Sequence, residues 1–349
     1  LVELIPLSSV PDFTEDIRQK LAPFWVDTVQ EFVDLARSPN RTFGSGLAAL
    51  SEDLQLPAES VEALFYAAQA ALPEGSSFDV LSELVVGDGA ILDGLEDLEA
   101  SSFDLPTEDL PAEVNLIGSL PPPRNQGHRN SCVAFTLAAM VQQQIERQLG
   151  QTGEPLSPQF IYWACKQRDG IPGDRGTSPL LAMQLLQEAG VCRDATWPYN
   201  PNVDDQNPGH GPAAPEALEE ARRYRISGFD VIQPKSVLQI KAQLAAGRSV
   251  LLGLYIFEHW TGTSQVRRLG KLRRPLTGEG NRGGHAMLAV GYRDDPQVDG
   301  GGYLIVRNSW GTDFATENPD GAGYLWVPYT IIFERNLAAF AISGLALAS

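Results

Sequence analysis

"NQGHRNSCVAF", residues 125–135, decides how the chain is read. It holds one cysteine, Cys132, among small and polar residues, directly before a run with helical periodicity. In "SCVAFTLAAMVQQQIERQL", Ala134, Leu137, Ala138, Val141, Ile145 and Leu149 form an apolar stripe and predict a long helix. Ser131 is the expected N-cap, which places Cys132 in the first turn. A thiol there meets the positive end of the helix dipole and free backbone N–H groups, and both favour thiolate. Position alone leaves four roles open: buried thiol, half of a disulfide, metal ligand or nucleophile.

Composition narrows them. Three cysteines, Cys132, Cys165 and Cys192, leave at least one thiol unpaired, and their spacings match no zinc signature. His128, His210, His259 and His285 are scattered too, so neither a metal nor another cofactor is expected. The chain has 349 residues, enough for a large core and more than one domain. Its net charge of −18 is uneven: residues 1–110 hold 4 basic and 22 acidic side chains, and the remainder is balanced. An acidic segment repels phosphate backbones, so nucleic-acid binding is not expected. No apolar run is long enough to predict a membrane span. The start, "LVELIPLSSVPDF", has no basic region and carries Glu3, so it does not read as a signal peptide. It also lacks an initiator Met, and an upstream segment is expected to be missing. Secreted and cytoplasmic locations both stay open.

Residues 12–37 show helical periodicity, with Pro23 placed to kink or split the helix. "PAESVEALFYAAQAAL", 57–72, predicts a second helix, and shorter helical pieces are expected at 46–54 and 78–98. The acidic stretch 92–113 loses periodicity and reads as a linker or extended arm. After the Cys132 helix, further helices are predicted at 178–190 and 236–247. Strands are predicted at 249–257, 285–292, 302–310 and 323–329, with 285–310 an antiparallel hairpin. Helices first and antiparallel strands afterwards predict an α+β fold behind a small all-α domain. The expected boundaries are an acidic helical domain at 1–91, a linker at 92–109 and a main domain at 110–349.

A thiolate nucleophile needs a base that a third group holds in place. His285 opens a strand after "RGG", and Asn308 lies across the predicted hairpin on "RNSWG". An Asn amide can accept the imidazole N–H and leave the other ring nitrogen for the thiol. Trp310, two residues on, is placed to keep water from that contact. Singly, such a cysteine or histidine is more often structural than catalytic.

Together they resemble the papain-like cysteine peptidases. "NQGHRNSCVAF" is similar to that family's nucleophile motif, "GGHAMLAVGY" to its histidine strand, and "YLIVRNSWGT" with "GAGYLWV" to its Asn-Ser-Trp-Gly segment. Weaker similarity lies in "LSPQFIYWACKQRDG", "GVCRDATWPYN" and "LPAEVN", so the resemblance covers about 110–335. It implies a two-lobed catalytic domain, one lobe helical and one an antiparallel β lobe. It implies Cys132 as nucleophile, His285 as base and acid, Asn308 as orienting residue, and Gln126 with the Cys132 N–H as oxyanion hole. Trp310 matches the aromatic shield. Gly176 and Gly284 match positions that bond an extended peptide, and Thr177, Leu251 and Ala286 match a side-chain pocket. The implied reaction is peptide hydrolysis through an acyl-enzyme, with a peptide or protein as substrate.

The chain departs from the family at Val133, where Trp is usual, and at Arg129, where a disulfide cysteine is usual. Cys165 resembles that cysteine's partner; pairing of Cys165 with Cys192 stays open. The lost bridge suggests a bacterial or otherwise divergent member. Residues 1–109 stand where such enzymes carry an inhibitory pro-segment, and the junction at "LPAEVN" favours a zymogen. In that reading 92–113 lies over the cleft, and the basic run 266–275 attracts the acidic segment. Acid is then expected to release it. The long segment 258–283 is expected to form a flap beside the cleft. The competing readings are an acyltransferase or amidase on the same fold, and a silent binding protein with a permanent N-terminal adaptor.

Overall fold

A computed structural model describes residues 4–37, 45–73, 89–102, 105–150, 154–262 and 264–347. The chain begins with four helices, α1 (Glu15–Leu21), α2 (Val29–Arg37), α3 (Ser45–Asp53) and α4 (Ala58–Ala71). Pro23 does split the predicted 12–37 helix: a 3-10 turn at Ala22–Phe24 ends at Trp25, whose φ is 59°. Helix α2 then restarts with a capping box. Its Thr28 Oγ1 accepts the Glu31 N–H at 3.3 Å, and Glu31 Oε2 accepts the Thr28 N–H at 3.0 Å. Phe13, Leu21, Phe32, Leu50 and Phe65 fill a core between these helices.

The main body follows as β1 (Glu113–Asn115), α5 (Cys132–Leu149), α6 (Pro158–Lys166), α7 (Pro179–Glu188) and α8 (Pro215–Ala221). Next come β2 (Tyr224–Val231), α9 (Val237–Ala245), β3 (Val250–Phe257), α10 (Glu258–Gly262), α11 (Ser264–Leu269) and β4 (Asn281–Asp294). The chain closes with β5 (Gly302–Arg307), β6 (Tyr324–Pro328), α12 (Tyr329–Arg335) and β7 (Asn336–Leu347). The strands form one antiparallel sheet in the order β2-β7-β3-β4-β5-β6, with β1 on β4. The expected hairpin is β4–β5, and β3 and β6 flank it. Helix α5 is buried from Cys132 to Ile145 between the sheet and α6–α7, and Gly150 ends it with φ 62°.

The expected helix at 78–98 is not formed over 89–98, which runs extended and through turns; 78–88 lie outside the described residues. The sequence reading also missed α6, β2 and β7 as elements.

Several cations of the basic run are engaged within the main body. Arg268, Arg273 and Arg274 pair with Glu317, Glu279 and Asp299 of the main body, at 3.4, 2.9 and 2.9 Å. Contact with the helices combines packing and hydrogen bonds. Leu276, 2% exposed, belongs to the helical core. Lys271 Nζ lies 5.1 Å from the Trp25 ring centroid, and Trp25 packs on Tyr303 and Trp326 at 5.9 Å each. Thr277 donates to Asp53 through N–H and hydroxyl, and Gln265 Nε2 donates to the Trp25 carbonyl at 2.5 Å. The 258–283 segment thus ties β6 to the N-terminal helices. Leu276→Ala should remove about 2–5 kcal/mol of packing. The expected result is faster hydrogen exchange in α2 and α4 with unchanged exchange in β4; equal exchange in both proteins would count against the contact.

Candidate active site

Cys132 is the first residue of α5 and is fully buried. Ser131 holds the N-cap position, but its hydroxyl does not cap the helix; it lies 2.7 Å from the Tyr199 hydroxyl. The first-turn N–H groups are therefore not taken up by a side-chain cap, and this end of the helix can receive an anion. Helix and sheet are stitched together beside the sulfur. Thr136 Oγ1 donates to the Ala286 carbonyl at 3.0 Å, and the Ala286 N–H donates to Cys132 Sγ at 3.4 Å.

His285 stands on β4 next to Ala286, and its Nε2 is 2.8 Å from Asn308 Oδ1. An accepting oxygen there puts the ring proton on Nε2 and makes Nδ1 the basic nitrogen. Strand pairing sets this up: Leu288 faces Arg307, so Asn308 follows β5 within reach of His285. The Trp310 ring covers the pair, 5.2 Å from the imidazole and tilted by 31°, and is itself braced edge-on by Phe314. Burial pushes the His285 imidazole down to about 4, while the Asn308 bond works in the opposite direction. Gln126 is held from three sides. Its N–H donates to the Ser309 carbonyl, its Oε1 accepts from Ser309 Oγ, and its Nε2 donates to the Arg129 carbonyl at 2.8 Å. A carboxamide has two N–H donors, so one remains for a ligand.

The chain's own segment 89–92 runs through this cleft. The expected cover at 92–113 is thus displaced toward the N-terminus, and its far end, β1, pairs with β4 from Arg293 to Gly291 instead. Ala90 bridges Thr177 in parallel, its N–H donates to the Gly284 carbonyl at 2.9 Å, and the Ile91 N–H donates to the Thr177 carbonyl at 3.0 Å. A Cβ on Gly89 would lie 2.7 Å from Cys132 Sγ, and one on Gly284 would lie 2.1 Å from the Ala90 carbonyl oxygen. Both contacts require glycine. Gly284 and Thr177 thus carry backbone bonds to the segment, and Gly176 is buried next to Thr177. Leu251 and Ala286 are fully buried within β3 and β4.

Leu92, 2% exposed, fills an apolar seat. A Cβ on Gly253 would be 2.6 Å from Leu92 Cδ2 and 2.9 Å from Ala338 Cβ. Gly253 and Ala338 were missed in the sequence. The signal for Gly253 was present, because a glycine inside the apolar strand "SVLLGLYIF" marks a close approach. None of the three cysteines is in a disulfide. Cys165 and Cys192 do not pair, and burial pushes both thiols up to about 12. Among the described residues no three His, Cys, Asp or Glu side chains cluster as metal ligands. No described helix is long and apolar enough to cross a membrane.

A cysteine at a helix start, across a cleft from an Asn-oriented histidine on an antiparallel sheet, is the architecture of the two-layered thiol peptidases. The chain belongs to the papain family: residues 111–327 match the model described as papain family cysteine protease. It is 28% identical over 224 residues to an uncharacterized peptidase C1-like protein of Acanthamoeba polyphaga mimivirus, covering 62% of this chain and 67% of that one. It is 26% identical over 199 residues to papain of Carica papaya, covering 56% and 49%. These matches span about half to two thirds of the relatives' lengths. Among solved structures, xylellain, a cysteine protease from Xylella fastidiosa, shares the fold with a TM-score of 0.64 and 24% identity, over 75% of this chain and 98% of that one. The procathepsin L 3 of Tenebrio molitor larval midgut shares it with a TM-score of 0.55 and 19% identity, over 76% and 78%.

Gly89→Ala tests the covered cleft. An added methyl should cost the segment about 1–3 kcal/mol of overpacking. A thiol-directed peptidyl epoxide should then label Cys132 in the full chain roughly 5- to 100-fold faster; equal rates would deny the contact.

Proposed function

We propose that the protein is a cysteine endopeptidase made as a zymogen. Cys132 Sγ attacks a peptide carbonyl as a thiolate paired with the His285 imidazolium, and Asn308 holds the ring. The Cys132 N–H and Gln126 Nε2 stabilise the oxyanion, His285 protonates the leaving amine, and water releases the acyl-enzyme. The observation that carries this is the joint placement of the Ala286 N–H on Sγ and of Asn308 on His285 Nε2. The substrate is a polypeptide with a leucine-sized apolar side chain in the seat now held by Leu92.

In this reading 1–91 is an inhibitory domain, 92–109 the link and 110–349 the catalytic domain, with the arm entering the cleft already at Gly89. Inhibition is steric, because the 89–91 backbone occupies the space a scissile peptide needs. Mass measured over time in the wild type and in Cys132→Ala tests the scheme. Cleavage near 100–112 is expected in the wild type only; an intact wild type, or equal cleavage in both, would refute self-processing.

The direction of pH control follows from His285. In the covered state burial by Trp310 and the arm holds its imidazole down to about 4, and withdrawal of the arm would remove part of that burial and move it back toward its ordinary value. The uncovered state therefore binds the proton more readily. Docking of the arm is strongest above pH 6.5 and weakens as pH falls toward 4. In Cys132→Ala, which cannot process itself, the Ala90 and Ile91 amides should lose exchange protection between pH 7.5 and 5, after correction for intrinsic exchange. Protection independent of pH would sink the switch.

A further inference from the structure

We propose that Arg129 is the positioning residue of the oxyanion side of the cleft and acts through Gln126. This rests on the peptidase reading above. Arg129 is a fully buried cation three residues before the nucleophile. Its guanidinium donates to Gln159 Oε1 at 2.8 Å, to the Pro208 carbonyl at 2.6 Å and to the Asn200 carbonyl. Its Nε lies 3.7 Å from Asp174 Oδ1. The plane sits against two rings, 4.9 Å from the centroid of Tyr162 and 5.0 Å from that of Tyr199. A buried charge is tolerable only when paired and hydrogen-bonded, and this one is both.

The other end of the same residue faces the chemistry. The Arg129 carbonyl accepts Gln126 Nε2 and the Ser131 N–H, at 2.8 and 2.9 Å. The groups around the guanidinium hold the same loop. Asp174 accepts the Asn130 N–H at 3.1 Å and Tyr162 Oη at 2.9 Å, and Tyr199 Oη donates to the Gln126 carbonyl at 2.8 Å. The carbonyl that aims the Gln126 amide is thus fixed by a side chain anchored in the helical layer. None of the cysteines offers a covalent alternative, since none is in a disulfide. A lysine keeps the charge but cannot lie flat between two rings while bonding several acceptors.

Two measurements test the proposal. In the full chain, the side-chain amide signals of Gln126 report its hydrogen bond whether or not the protein cleaves peptides. Arg129→Lys should shift them and speed their exchange; unchanged signals would overturn the proposal. The second is a kinetic cycle on processed, active-site-titrated enzyme. Arg129→Lys should lower kcat about 10- to 100-fold with KM changed less than about twofold, as a misplaced catalytic group does. On a Gln126→Ala background the same change should cost less than about twofold, since a residue that acts through another adds nothing once that other is gone. Equal losses on both backgrounds would show a general structural role and overturn it. Asp174→Asn removes the counter-charge and keeps the shape; it should show the same pattern, and covers the case in which Arg129→Lys does not fold. Absence of hydrolysis by the wild type would strike the peptidase reading, while the amide signals would still decide the role of Arg129.

Discussion

Helix α5 must be covered on every side. Its first fourteen residues are all buried, so the sheet has to pack along one flank and α6 and α7 along the other. Cys132 is the first residue of this helix. His285 stands on the sheet and Asn308 directly follows β5, so Cys132 and its proposed base sit on different layers and the docking of the layers sets their approach. The bond from Thr136 to the Ala286 carbonyl pins that docking one residue from His285. Packing a buried helix and assembling a reactive pair are therefore one event in this fold.

The parts of the fold that could be read from sequence are those with one clear period. The stripe of α5, the short apolar strands β3 to β6 and the turn-rich hairpin link all qualify. Strand β7, "NLAAFAISGLAL", is a run of small apolar residues whose periodicity does not separate strand from helix. Strand β2 mixes polar and apolar residues because it is only partly buried. Helix α6 does carry a start signal, Ser157 capping the Phe160 N–H before Pro158, yet the segment was legible only as a family resemblance. At the site, Cys132, His285, Asn308 and Gln126 were legible because each sits in a distinctive local motif. Gly253 and Ala338 contribute little more than the absence of bulk from two separate strands, which no local motif encodes. Arg129 was visible only as a departure, because an arginine in sequence gives no sign that it will be fully buried.

In the acidic N-terminal part net charge does not by itself name the contacts. Opposite charges attract across a Debye length but gain little once each finds a nearer partner. Arg268, Arg273 and Arg274 have such partners within the main body. Among the described residues the two parts are joined by Leu276 in the helical core, the Trp25 ring among Tyr303, Trp326 and Lys271, and hydrogen bonds from Thr277 to Asp53 and from Gln265 to Trp25. Each contact needs shape more than sign.

Gly89 and Leu92 divide a task between them. The glycine lets the backbone lie on the sulfur, and for that reason has no side chain with which to grip. The leucine fills the apolar seat at Gly253 and Ala338. Obstruction and affinity are thus written at separate positions three residues apart. In the proposed zymogen, resizing the leucine would retune how firmly the arm holds and leave the contact at the sulfur untouched. At the glycine there is no such gradation, because the smallest possible side chain already collides.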